Sequence, residues 1–259
     1  MADPRVAPVV NFTQTLHHDP TPSNDPSRVR LPSPYTVCIL GASRGIGAGI
    51  ARSYVLAGAS TLIITSRHLS DLSAVAAGLG ALNPDCHVEA LACDVSQAAS
   101  VRALADAVRA KFGRLDVLVA NAGLAGPWVL RIDQGEPDDF QRAFDVNAVG
   151  TYLAAHCFVP LLLATEGGAK AFVAVGSLAA GVLSGPLAST GYCVSKMAQA
   201  RIVEHVATQF REQGLLAVTV HPGAVKTEAS KGAPEEFVRC ESSAFPFPIV
   251  VWSGWRAGC

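Results

Sequence analysis

From residue 35 onward two hydrophobic rhythms alternate along the chain. One is a short, continuous apolar run: Tyr35 to Leu40, Thr61 to Thr65, Val88 to Cys93, Leu115 to Ala120, Ala171 to Val175 and Leu216 to Val220. Continuous runs of this length, rich in Val and Ile, predict strands covered on both faces. The other rhythm is longer, with apolar residues returning every three or four positions, as on one face of a helix. It predicts helices from Ile46 to Ala57, from Ser70-Asp71 to before Asn83-Pro84, after Ser96 (read as a cap) to Gly113, from Pro137 to about Ala164, and from Gly191 to Gln213. A bend is expected near residues 147–150 of the long helical stretch. Strict alternation of strand and helix implies right-handed crossovers. The fold class is therefore α/β: a single doubly wound (Rossmann) parallel sheet of six to seven strands with helices on both faces, over residues 35–259.

Both ends depart from that rhythm. Residues 1–34 are proline-rich and form an irregular arm, disordered or draped over the domain. Asp3, Asp19 and Asp25 speak against a transit peptide, and Val6 to Val10 is too short for a signal core. At the other end residues 228–259 are atypical. Ile249 to Trp252 reads as a possible seventh strand among prolines.

Composition narrows the partners. The chain has 259 residues, half of them hydrophobic, with a net charge of −1 and no basic cluster, so nucleic acid is not expected. Apolar stretches are interrupted before the ~18 residues of a bilayer crossing, so no membrane span is expected. The seven cysteines stand singly without a CxxC pair, which fits reduced thiols and a cytoplasmic protein. No His/Cys/Asp grouping has metal-ligand spacing.

The chemistry begins where the first strand ends. Gly41, Gly45 and Gly47 allow a tight turn and a close approach, and the helix beyond directs unpaired N–H groups at that turn, an anion site. No Lys-Ser/Thr follows the last glycine, so a dinucleotide is expected rather than a triphosphate. An NAD site carries an acid about 20 residues on, bonding the ribose. Here no acid lies between Ala48 and Ser70. Arg44 within the turn, Arg67 after the second strand, and the hydroxyls of Ser43 and Ser66 suit a 2′-phosphate instead, favouring NADP(H). Further along, Tyr192 and Lys196 are one helical turn apart and share a face. An ammonium there favours the phenolate and lowers a phenol whose ordinary pKa is near ~10.

Together these residues make the chain resemble the short-chain dehydrogenase/reductase family of the classical type, from about Tyr35 to Thr227. The glycine turn, with Ile46 inside it, matches the family's Gly-x-x-x-Gly-x-Gly, although Leu40 stands where Thr is frequent. Asp94-Val95 matches the dipeptide at the adenine end, Asn121-Ala122-Gly123 the family's Asn-Ala-Gly, and Pro222-Gly223-Ala224-Val225-Lys226-Thr227 the segment closing over the nicotinamide. The resemblance implies a catalytic set of Asn147, Ser177, Tyr192 and Lys196. Tyr192 would be the general acid or base, Ser177 the donor to the substrate oxygen, Lys196 the ribose ligand that also lowers Tyr192, and Asn147 the holder of a proton-relay water. It implies hydride transfer between NADP(H) and a carbonyl or alcohol, in a homodimer or homotetramer built partly on the long helices. Leu124, Trp128, Leu178, Val182, Leu183 and Leu187 predict a mostly apolar substrate. The amino-terminal arm resembles those of fungal members in secondary metabolism. Because the carboxyl-terminal segment lacks the family's usual lid, helix and glycine-rich end, a shortened or altered terminus, an open sheet edge and an incomplete pocket are expected. A catalytically weak dinucleotide-binding regulator or scaffold is the alternative function, and a dehydratase or epimerase a fainter one. His221 is read as a packed strand-end residue.

Overall fold

A computed structural model describes residues 22–181, 188–223, 225 and 227, and the backbone of 250–252. Its strands are β1 (Thr36–Leu40), β2 (Thr61–Ser66), β3 (His87–Ala92), β4 (Val117–Ala120), β5 (Ala171–Val175), β6 (Leu216–His221) and β7 (Val250–Trp252). The helices are α1 (Gly45–Leu56), α2 (Ser73–Leu82), α3 (Ala98–Phe112), α4 (Pro137–Phe144), α5 (Gly150–Ala164) and α6 (Thr190–Phe210). The strands form one sheet in the order β3-β2-β1-β4-β5-β6-β7.

β1 to β6 are parallel, as the alternation predicts; β7 is antiparallel to β6, pairing Val250 with His221 and Trp252 with Thr219. Six parallel strands and a seventh near residues 249–252 are as expected, and only the antiparallel direction of the seventh is a correction. The chain leaves β6 at its carboxyl end and β7 begins beside that same end. An antiparallel neighbour needs no crossover to the opposite end of the sheet. β7 covers the last three residues of the edge expected to be open.

The period-two geometry of the strands divides the core in two. Cys38, Leu40, Ile63, Leu118 and Phe172 face one side, where they meet Val101, Leu104 and Val108 of α3, Phe158 and Leu162 of α5 and Val203 of α6. Val37, Ile39, Leu62, Ile64 and Val119 face the other, against Ala51 and Val55 of α1 and Leu79 of α2. Leu31, in the described part of the arm, packs on this second side, and its N–H bonds the Ala57 carbonyl. Residues 22–34 are thus draped on the domain; 1–21 lie outside the described residues.

Local signals account for most boundaries. Gly113 ends α3 in the left-handed region at φ 62°, and Pro137 opens α4. Ser96 does not cap α3. Its backbone N–H and hydroxyl both bond the Asp94 carboxylate instead. A 3₁₀ turn, Leu69–Leu72, precedes α2. At the amino-terminal ends of β1 and β4, the fully buried Asp116 accepts two bonds from Arg114, at 2.8 and 2.7 Å, and one from the Thr36 N–H at 2.8 Å. This carboxylate ties the strand ends opposite the functional edge.

The helical stretch Pro137–Ala164 is long and apolar enough to cross a bilayer by length and composition, yet 56% of its most apolar window is buried in the domain. A helix whose apolar side faces the sheet passes the same test.

Candidate active site

The sheet order reverses direction between β1 and β4, so the crevice at their carboxyl ends is the expected ligand position. The turn after β1 is built around it. Gly41 (φ +84°) lies so close to β4 that an added Cβ would fall 2.7 Å from the Ala122 Cα. The Asn121 side chain donates to the Gly41 carbonyl at 2.5 Å, clamping the turn. Helix α1 then starts after Arg44 with no side-chain cap and no acid in its first turn. Its leading N–H groups are open to an anion. Gly45 (φ +56°) faces Thr227, whose Cγ2 would be 3.1 Å from an added Cβ. The segment after β6 thereby returns to the glycine turn, bringing Thr227 to the residues it was expected to join. Gly223 adopts φ +81° in that segment, between Pro222 and the exposed Val225; residues 224 and 226 lie outside the described residues.

At the carboxyl ends of the adjacent strands β1 and β2, Ser43 and Ser66 are partly buried, and Arg44 and Arg67 are exposed. Neither guanidinium has a hydrogen bond or ion pair among the described residues. Asp71, beyond the stretch that lacks an acid, sits 3.5 Å from the Ser66 hydroxyl. Asp94 is held by Ser96 and by its own N–H donating to Ser100 Oγ at 3.0 Å. Val95 is buried against Gly150 and lines, with Leu40, Ala120 and Ala122, a small cavity at the carboxyl ends of β1 and β4.

The reactive end is assembled from four elements. The bend expected near Asn147 is a turn of π-helix, Asp145–Val149, between α4 and α5. Such a turn often marks a functional site. It buries Asn147 completely. The Asn147 amide donates to the Leu124 carbonyl (2.9 Å) and to Ser195 Oγ (2.9 Å) and accepts from the Leu124 N–H (2.8 Å). Asn147 thus fixes the chain leaving β4. Ser189 caps α6 by accepting from the Tyr192 N–H at 3.3 Å, which seats Tyr192 in the first turn. The Ser177 hydroxyl, just past β5, acts on the Tyr192 phenol. Burial pushes the phenol up, and Ser177 works against that rise. Lys196 lies beneath, its Nζ 5.9 Å from the Tyr192 ring centroid. The ammonium donates to the Val175 carbonyl and to Gln199 Oε1, each at 2.9 Å. Burial lowers it to about 8. The net lowering of Tyr192 expected from Lys196 is not found, because desolvation of the phenol dominates.

Gly123 separates these groups. An added Cβ would stand 3.4 Å from Asn147 Oδ1 and 3.5 Å from Lys196 Nζ. His221, given only a packing role, accepts from the Leu178 N–H through Nδ1 at 3.2 Å and so anchors the turn carrying Ser177. Burial lowers it to about 4, keeping it a neutral acceptor. Sequence reasoning missed Gln199, Thr151, Ser189 and this role of His221. Polar side chains on otherwise apolar helix faces were the available signal for Gln199 and Thr151.

The short chain dehydrogenase family model matches residues 35–236. The chain belongs to this family. Short chain dehydrogenase pgmD of Aspergillus terreus is 37% identical over 233 residues, covering 86% of this chain and 74% of that protein. A metagenomic short-chain oxidoreductase solved with NADP is 29% identical, with TM-score 0.65, covering 82% of this chain and 91% of its own. A 3-ketoacyl-(acyl-carrier-protein) reductase from Brucella melitensis solved with NADH is 26% identical, with TM-score 0.68, covering 83% and 90%. Family membership makes the chain a dehydrogenase/reductase acting on CH–OH or C=O with a nicotinamide dinucleotide.

Proposed function

We propose that the chain is a cytoplasmic NADP(H)-dependent oxidoreductase acting on a mostly apolar ketone, aldehyde or secondary alcohol. The observation that carries this reading is the Ser177 hydroxyl acting on the Tyr192 phenol beside the buried Lys196, at the same sheet edge as two arginines with no ionic partner among the described residues. The dinucleotide supplies or accepts the hydride. Tyr192 delivers the proton to the substrate oxygen in reduction and removes it in oxidation. Ser177 donates to that oxygen as charge develops on it. The raised phenol stays protonated at neutral pH and so carries the proton that reduction consumes. Lys196 offers the ribose its remaining N–H, and Asn147, through its clamp on Leu124 and Ser195, holds the floor of the site.

Support for NADP over NAD is the open guanidinium pair of Arg44 and Arg67, with Ser43 and Ser66 beside them. The glycine turn with its uncapped helix, Asp94 and Thr227 fit the rest of the cofactor. Leu124, bonded to Asn147, and Trp128, four residues on, are partly buried and favour an apolar substrate; residues 182–187, also expected there, lie outside the described residues. Val149, Tyr152 and Met197 are 39, 54 and 53% exposed on the π turn, α5 and α6. Such an apolar surface fits a second copy of the chain and supports a homodimer or homotetramer. The similarity to a fungal dehydrogenase supports a place in fungal secondary metabolism.

The test is nucleotide consumption by purified protein with a panel of apolar ketones and aldehydes, paired with thermal melts. NADPH should raise the melting temperature more than NADH and be consumed with at least one carbonyl. Stabilisation without turnover on any of them would favour a binding protein; a larger response to NADH would overturn the arginine argument.

A further inference from the structure

One polar side chain of the core has no part in the reaction outlined above. Gln199, on α6, is fully buried, as are Asn147 and Ser195, and Thr151 and Lys196 are nearly so. These residues form a continuous chain of bonds. Lys196 Nζ donates to Gln199 Oε1 at 2.9 Å, Gln199 Nε2 donates to Thr151 Oγ1 at 2.9 Å, and Thr151 Oγ1 donates to the Asn147 carbonyl at 2.8 Å. Each link fixes the next. Thr151 is oriented by the carbonyl one turn earlier, so its lone pair faces Gln199. The Gln199 amide is thereby oriented with its oxygen toward the ammonium. A buried amide left unbonded is costly, so the chain holds together as a unit.

We infer that Gln199, oriented by Thr151, is a positioning residue that holds the Lys196 ammonium charged and aimed at the site. An ammonium has three donors. Val175 and Gln199 take two of them, which leaves the third beside Gly123 for a cofactor hydroxyl. The groups facing Lys196 are Tyr192 on its own helix, the Val175 carbonyl of β5, Gly123 after β4, and Asn147 on the π turn. Tyr192 is the titratable one among them, and burial is the cause of the lowering to about 8. The Gln199 oxygen is the side-chain acceptor opposing it.

This inference rests on Lys196 serving the proposed reaction, so the deciding measurement does not use turnover. Protein carrying isotope-labelled lysine is titrated by NMR at the Lys196 Cε, assigned with Lys196→Arg. Wild type should show a midpoint near 8. In Gln199→Met, which keeps the volume and removes the acceptor, the midpoint should fall by about one unit. In Gln199→Glu it should rise by about one unit, because a carboxylate favours the ammonium. With NADPH and an accepted carbonyl, the alkaline limb of the rate profile should move with the midpoint, a roughly threefold loss at pH 7.5 in Gln199→Met. Should Gln199→Met fail to fold, Gln199→Glu decides alone. Identical Lys196 midpoints in wild type and folded variants would overturn the inference while leaving the oxidoreductase reading intact. Shifted midpoints in a protein that turns over no carbonyl would uphold the inference's geometry and overturn that reading.

Discussion

Two glycines in α1, two residues apart, should respond to the same substitution with opposite signs. Replacing either by alanine gains about 1 kcal/mol of helix propensity. At Gly49 an added Cβ has nothing within 4 Å, so the gain stands. At Gly47 the Cβ would sit 2.1 Å from the Gly41 carbonyl oxygen and 2.5 Å from Asn121 Nδ2. Backbone must retreat by about 1 Å to reach van der Waals distance. Such overpacking costs about 1–3 kcal/mol, and loss of the Asn121–Gly41 bond adds about 1 kcal/mol. The net is a destabilisation of about 1–3 kcal/mol for Gly47→Ala against a stabilisation of about 1 kcal/mol for Gly49→Ala. In a domain of this size each kcal/mol moves the melting temperature by about 2–4 °C. Thermal unfolding should therefore place Gly49→Ala about 2–4 °C above wild type and Gly47→Ala about 2–12 °C below it. Displacing the Gly41 turn should also remove the stabilisation by NADPH in Gly47→Ala and leave it in Gly49→Ala. A Gly47→Ala protein that melts at or above wild type and still binds NADPH would refute the close approach on which the turn depends.

Other expectations follow from single contacts. Asp116→Ala strips the partners from Arg114 and Thr36 and should lower the stability in urea by about 3–5 kcal/mol; a loss under about 1 kcal/mol would contradict the buried carboxylate lock. His221 is lowered to about 4 in the fold from about 6.5 when unfolded. The unfolded chain then binds the extra proton, so stability is full above pH 6.5 and falls toward pH 4 by about 3 kcal/mol. His221→Asn should flatten that acid slope in urea titrations, and an unchanged slope would count against a neutral buried imidazole. Replacing Arg44 and Arg67 together by Ala should weaken NADPH binding by roughly 10–100-fold in calorimetry and NADH far less; equal losses would remove the 2′-phosphate reading.

Much of this was legible because strands buried on both faces leave an uninterrupted apolar signature. Thr61 to Thr65 and Ala171 to Val175 lie at or within one residue of the observed strands, and Gly113 and Pro137 mark their helix ends. What escaped was decided by contacts that composition and periodicity do not report. Ser96 has the chemistry of a cap, but the Asp94 carboxylate two residues away takes its hydroxyl. The bend near Asn147 was visible, whereas its π geometry and the Asn147–Leu124 clamp depend on β4 lying alongside. The phenol of Tyr192 rises because of how deeply α6 packs, which residue spacing does not report. The orientation of β7 reflects where the chain re-enters the sheet, a property without local sequence code. Gln199 and Thr151 lie 48 residues apart, so no spacing rule joins them.

The central claim is that Tyr192 moves the proton that accompanies hydride transfer. Single-turnover oxidation of NADPH by an accepted apolar ketone, compared between wild type and Tyr192→Phe, tests it most directly. The phenylalanine keeps the ring and removes only the hydroxyl on which Ser177 acts. The expected result is a fall of roughly 10²–10⁴ in the rate of the hydride step, with NADPH affinity unchanged. A Tyr192→Phe protein that oxidises NADPH near the wild-type rate would contradict the account.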